Sequence, residues 1–284
     1  ELTDELDLVW LAGYEDMKRQ SAQDIETGLD VWDGAMFFLD GTGARSYSTE
    51  LQLQSDELGD LVWIAGVNLF HEKTSTVGYY DNPMDDKAFW DQPDRSTDAF
   101  AAFGQATYNL SSDLHLTLGY RFSDETKEDK GGRTLRCSNA DGCAPGWYNR
   151  TVLSDLPTNA FEDPSIYKSS FANDNKGSWR NHDFRLGLDY DLTQNTMVYG
   201  YVASGFKAGG IGDVFEVVND RTGQVQRIET QFDPEQVVTY ELGTKTSLLD
   251  NSLNLQAVFF YTDYTDMQYA SVGSVGTVER LAPV

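Results

Sequence analysis

Residues 98–126 read DAFAAFGQATYNLSSDLHLTLGYRFSDET, two alternating runs joined by a polar turn at Ser111, Ser112 and Asp113. In the second run Leu114, Leu116, Leu118, Tyr120 and Phe122 share one face, while His115, Thr117, Gly119 and Arg121 share the other. Side chains that change sides at every residue mark a β-strand, because a helix returns to the same face only every ~3.6 residues. An unbroken apolar face opposite a small and charged one suits a wall with hydrocarbon outside and water inside. The stretch predicts a membrane β-barrel.

Working outward, the same alternation predicts strands at 5–16, 45–56, 60–73, 97–110, 113–126, 179–192, 195–207, 235–249 and 252–268. Short connectors fall at 56–59, 111–112, 193–194 and 250–251, and long loops at 17–44, 74–96, 127–178 and 208–234. The expected fold is all-β: an antiparallel up-and-down meander forming a partial transmembrane barrel of about nine or ten strands, with short turns on one side and long loops on the other. In the downward strands Tyr47, Thr49, Leu51 and Leu53 oppose Ser48, Glu50, Gln52 and Gln54, and Val238, Tyr240 and Leu242 oppose Thr239, Glu241, Gly243 and Lys245. The charged set Glu50, Arg121, Arg185, Glu241 and Lys245 thus keeps to the lumen parity, where water can reach it. The upward strands open on related words, DLVWLAG (7–13), DLVWIAG (60–66) and DLHLTLG (113–119). They mark equivalent structural positions sharing one requirement rather than a genetic repeat.

Length and composition agree with one architecture over 1–284, with no linker between two cores. Aromatics reach 13% and no apolar run approaches the roughly 18 residues of a membrane helix. A net charge of −25, from 46 acidic and 21 basic residues, excludes nucleic acid as partner. Asp81, Asp85, Asp86, Asp91 and Asp94, and then Asp124, Glu125, Glu128 and Asp129, are expected in loops, where they can bridge cations to anionic lipopolysaccharide. Neither group has the spacing of a calcium loop, so no metal site is assigned. Cys137 and Cys143, within a polar segment, read as a loop disulfide in an oxidising compartment, with two free thiols as the alternative. The chain opens at Glu1 without a visible signal peptide.

Nothing points to catalysis. His71, His115 and His182 are far apart in sequence, and GFKAGG (205–210) lacks the GK[ST] ending of a phosphate loop and has no helix after it. No cofactor is implied. Ligand recognition is the better-supported chemistry. The loop aromatics Phe37, Phe38, Tyr79, Tyr80, Phe89, Trp90, Trp147, Tyr148 and Trp179 either stack on sugars or siderophore rings, or form girdles and pack loops together. Arg121, Arg180, Arg185 and Lys207 are the cations placed nearest the lumen. The candidate ligand set is Tyr79, Tyr80, Trp90, Trp147, Tyr148, Arg121, Arg185 and Lys207.

YSTELQLQSD (47–56), AAFGQATYNLSSDLHLTLGYRFSDETK (101–127), YGYVASGFKAGG (199–210) and FDPEQVVTYELGTKTSLLDNSLNLQAVFFYTDYTDMQ (232–268) resemble the barrel of TonB-dependent outer-membrane receptors. The resemblance covers most of the chain apart from the long loops. It implies a bacterial outer-membrane location and uptake of a scarce small molecule, usually a ferric siderophore or other iron complex. The partners it implies are outer-membrane lipid and lipopolysaccharide, and the TonB complex acting through a plug. Such receptors also carry an N-terminal plug and 22 strands, whereas this chain shows no plug-like segment and reads as an internal piece of a barrel. The alternatives are a passive porin-like barrel and a soluble carbohydrate-binding β-sandwich.

Overall fold

A computed structural model describes residues 6–24, 37–55, 59–81, 86–138, 169–218 and 225–268. These are almost wholly strand: β1 (Leu6–Asp24), β2 (Phe37–Ser55), β3 (Leu61–Asp81), β4 (Asp86–Asn109), β5 (Leu114–Ser138), β6 (Ser169–Thr193), β7 (Thr196–Lys207), β8 (Gly210–Val218), β9 (Val225–Phe232), β10 (Glu235–Leu248) and β11 (Leu253–Thr265). Nine form one sheet in the order β1-β2-β3-β4-β5-β6-β7-β10-β11, while β8 and β9 pair only with each other. Every pairing is antiparallel. The expected meander is present.

Opposed residues of an antiparallel ladder project to the same side, so one row can be followed across the wall. Trp63, Ala106, Leu118, Leu186, Val202, Tyr240 and Tyr261 make such a row. One residue away the row is Ile64, Gln105, Gly119, Arg185, Ala203, Thr239 and Thr262. A one-residue step changes the chemistry from mainly aromatic and aliphatic to mainly polar, so a one-residue slip of a strand would turn its faces inside out. Among the described residues the only buried apolar side chains are Ala101, Trp179 and Ala208, while Leu118, Leu186, Tyr240 and Phe259 stand exposed. A sheet with almost no core of its own and a continuous apolar face needs hydrocarbon as the solvent of that face.

The three related upward words do occupy equivalent places. Gly13, Gly66 and Gly119 all lie on the inner face, each opposite a side chain that crosses over it. A Cβ on Gly66 would come within 2.7 Å of the Phe103 ring, and one on Gly13 within 2.6 Å of the Ser48 hydroxyl. Three of the expected short turns are present, while of the expected connector at 56–59 only Gly59 lies among the described residues. Ser111 Oγ accepts from the amides of Asp113 and Leu114 at 3.3 and 3.1 Å, and Thr193 Oγ1 from that of Asn195 at 3.2 Å. The β10–β11 turn runs through Leu249, Asp250 and Asn251 with φ of 51°, 52° and 67°. That left-handed region suits asparagine and aspartate.

The long loops are where expectation and structure part. Residues 17–24, 37–44, 74–81, 86–96, 127–138 and 169–178 continue the strands, and 208–234 contains the β8–β9 hairpin. β5 and β6 reach 25 residues each; at about 3.3 Å per residue that is ~80 Å, whereas a bilayer crossing needs only about 9–11 residues. Above the bilayer both faces meet water. Ladder hydrogen bonds therefore continue without any alternation in hydropathy to reveal them.

Candidate functional site

At the level of the apolar band the inner face carries charged side chains, several of them stacked on aromatic rings. The Arg121 guanidinium carbon lies 5.7 Å from the centre of the Phe103 ring, directly opposite it in the ladder. Arg185 lies 4.1 Å from the Tyr201 ring centre, and the Lys245 ammonium 5.4 Å from that of Tyr199. The last two are diagonal neighbours across strand pairs, a separation that long side chains span. Each such contact is worth about 0.5–1 kcal/mol at an exposed site. The Tyr199 and Tyr201 hydroxyls donate to the two oxygens of Glu241 at 2.8 and 2.9 Å, which fixes the rings beneath their cations. On β2 and β3, Glu50 accepts from Gln52 and, at 3.1 Å, from Asn68, while Gln54 donates to Gln52 at 2.7 Å. The face is not wholly polar. Val9, Leu11, Ile64, Phe70 and Phe103 share its parity, and Leu11 is half exposed.

The structure brings three of the expected ligand residues to this one face. Arg121 and Arg185 lie in its middle, and Lys207 ends β7 opposite Glu235, two steps beyond Gly205 in the Arg185–Ala203 parity. Arg180 is a correction. It sits opposite Asp124 on the outward parity, and its Nε donates to that carboxylate at 2.7 Å. Its height explains this, since it lies above the apolar band where both faces are polar. Tyr79, Tyr80 and Trp90 lie in strands rather than loops, Tyr79 opposite Phe89 and Trp90 opposite Gly78. Trp147, Tyr148 and Cys143 fall outside the described residues; Cys137 lies in β5 opposite Lys87 in β4. The acidic runs at 91–94 and 124–129 likewise lie in strands, and several of their members meet bases: Asp94 with Lys73 at 3.2 Å, Glu125 with Lys127 at 3.1 Å, Glu128 with Lys130 at 3.0 Å and Asp129 with Arg95 at 2.8 Å. The hydrogen bond to Glu128 holds the Lys130 ammonium above its ordinary pKa.

The histidines do not converge. His71 meets Asp98 at 2.7 Å, His182 meets the Tyr120 hydroxyl at 2.6 Å, both on the outward face, and His115 meets Asn109 at 2.7 Å on the inner one. A shallow hollow of about 510 Å³ lined by Tyr47, Thr49, Leu69, His71 and Phe100 also opens outward, toward the bilayer rather than the lumen. Sequence reasoning overlooked Phe103, Tyr199 and Tyr201 as inner-face aromatics. Their signal was available, because Met197, Tyr199 and Tyr201 share the parity of Lys207.

A wall with lipid on one side and stacked cations and carboxylates on the other defines a segment of a membrane β-barrel. No helix among the described residues is long and apolar enough to cross a membrane. The chain belongs to the TonB dependent receptor-like, beta-barrel family, whose model matches residues 4–280. That is a family of outer-membrane receptors, and it places this wall in the outer membrane.

The probable TonB-dependent siderophore receptor PiuA of Acinetobacter baumannii is 34% identical over 101 residues, 32% of this chain and 13% of that protein. The catecholate siderophore receptor Fiu of Escherichia coli is 28% identical over 168 residues, 59% of this chain and 20% of that protein. The crystal structure of the ferric yersiniabactin uptake receptor FyuA from Yersinia pestis matches 94% of this chain and 34% of its own with a TM-score of 0.66 at 17% identity. That of Fiu in its closed form matches 99% and 41% with a TM-score of 0.60 at 18% identity. The chain spans about a fifth or less of the length of the two curated relatives.

Proposed function

We propose that this chain is part of the wall of an outer-membrane receptor that takes up a ferric siderophore, or another scarce iron complex, with energy delivered through TonB. The carrying observation is the mixed inner face. A channel filled with water has no use for Val9, Leu11, Ile64, Phe70 and Phe103 facing inward; a lumen packed with a plug domain does. Stacked Arg121, Arg185 and Lys245 give such a plug, or an anionic iron complex, fixed cationic partners, and planar rings give it surfaces to stack on. The names of the relatives support the same cargo class. The wall holds no reacting group in this reading. Tyr79, Tyr80, Trp90 and Lys207 are the proposed ligand contacts toward the outer mouth, and Trp147 and Tyr148 are further proposed contacts with the same ligand.

On the outward face the apolar band ends at cross-strand ion pairs, Asp16 with Arg45 at 3.1 Å and Asp124 with Arg180 at 2.7 Å. They mark the headgroup level, where lipopolysaccharide is the proposed neighbour. The decisive experiment measures iron-55 uptake from a ferric catecholate by iron-starved cells carrying the complete receptor, with and without TonB. Saturable uptake that disappears without TonB is expected; linear uptake indifferent to TonB would instead establish a passive channel.

A further inference from the structure

Between β7 and β10 the chain leaves the wall and makes a hairpin. Lys207 and Glu235 are already paired in the ladder, so the wall does not require the 27 residues from 208 to 234 to close this connection. A two-residue turn would do. The inserted hairpin instead folds over the inner face. Above Arg185 and Ala203, β6 and β7 part, and the amide of Phe184 is met at 3.0 Å by the Ser204 hydroxyl instead of a ladder carbonyl. The base of the hairpin lies against the upper part of β6. Its Gly209 carbonyl accepts from Lys127 Nζ at 3.0 Å, and Lys127 in turn lies 5.7 Å from the ring centre of Trp179.

Trp179 is 8% exposed and Ala208 6%, in a sheet that buries almost nothing else apolar. The two glycines of GFKAGG find their use here. A Cβ on Gly209 would sit 2.3 Å from the Phe232 carbonyl oxygen and 2.4 Å from the Trp179 indole nitrogen, and one on Gly210 would sit 2.0 Å from the Phe232 ring. Only bare backbone fits between Trp179 and Phe232. A third tether joins the two ends of the insertion: Gln268 donates to the carbonyls of Ala208 and Asp233 at 3.1 and 2.9 Å.

We infer that the β8–β9 hairpin is a fixed constriction of the lumen's outer mouth, that Trp179 and Lys127 are the positioning residues that hold it there, and that it helps select the cargo admitted. The selectivity clause rests on the uptake reading above; the constriction does not. An isolated two-stranded hairpin is barely stable in water. This one therefore owes its order to the clamp, and its backbone protection reports whether the clamp is closed.

The test uses the complete receptor and hydrogen exchange. In Trp179→Ala and Gly209→Val, amides of 210–218 and 225–232 are expected to exchange about tenfold faster or more, while those of 114–123 and 185–193 keep their protection. Trp179→Phe should stay near the wild type. Uptake of a ferric tris-catecholate by the same variants should show a several-fold higher half-saturation concentration with a nearly unchanged maximal rate. Unaltered hairpin exchange, or faster exchange throughout the wall, overturns the clamp. A loosened hairpin with unaltered half-saturation overturns its role in selection. A wild-type receptor that takes up no ferric catecholate defeats the uptake reading and the selectivity clause with it, while hairpin exchange still decides the constriction.

Discussion

Tyr201 lies between two charges, its hydroxyl 2.9 Å from a Glu241 oxygen and its ring 4.1 Å from the Arg185 guanidinium carbon. The three residues come from β10, β7 and β6, so one aromatic ring joins three strands on the inner face. Converting Arg185 to Met keeps an apolar stem over that ring and removes the charge. The stack is worth only about 0.5–1 kcal/mol, so barrel melting should barely move. Uptake should lose affinity several-fold if this cation meets plug or cargo, as a radioactive-iron saturation curve would reveal.

Leu118→Arg and Gln105→Arg separate the two faces of the wall. Leu118 belongs to the lipid row and Gln105 to the inner row one residue away. Arginine at the bilayer midplane on the lipid face costs about 2–4 kcal/mol, against little in a wet lumen. Thr117 makes a poorer control than Gln105, since it is 9% exposed and shares a 3.0 Å hydrogen bond with Thr107. Folding into lipid vesicles, followed by heat-dependent gel migration, should fail or weaken for the first variant alone. Equal behaviour of the two would contradict the register.

Gly243→Ala tests close packing on the inner face. A Cβ there would meet the Tyr199 ring at 2.5 Å. Overpacking of this kind costs about 1–3 kcal/mol. Adding Tyr199→Ala should recover most of the loss, because the three nearest atoms all belong to that one side chain, and the double-mutant cycle should show clear coupling. Independent, additive effects would mean that the ring does not occupy this space.

Reducing agent is expected to leave the wall intact. Cys137 lies near the far end of β5, some 20 residues beyond the bilayer-level position Leu118, so any bridge to Cys143 constrains only the top of the structure. Denaturation curves with and without dithiothreitol should superimpose for the barrel transition; loss of the whole fold on reduction would show the pair to be essential.

How much was legible follows from where alternation exists. Leu118 beside Gly119, and Tyr240 beside Glu241, announce both strand and face, because lipid and water demand different chemistry at adjacent positions. All nine wall strands could be located on that basis. Arg180 could not be placed, because its neighbours Asp124 and Trp179 lie where both faces are wet and parity leaves no trace in hydropathy. For the same reason the strands beyond Asp16, Arg45 and Lys127 read as loop. The β8–β9 hairpin was hidden in another way: its two glycines look like any turn until Trp179 and Phe232 are seen to close on them.

By itself the sequence determined the strand period, the sidedness of each membrane-level strand and the order of the meander, since these are local consequences of a side chain meeting hydrocarbon or water every second residue. Only the tertiary structure decided how far the wall rises and which rings lie under which cations. It alone showed that the insertion after β7 folds back over the inner face. Those depend on backbone hydrogen bonds and on contacts between strands far apart in the chain, and neither leaves a periodic mark in the residues that make them.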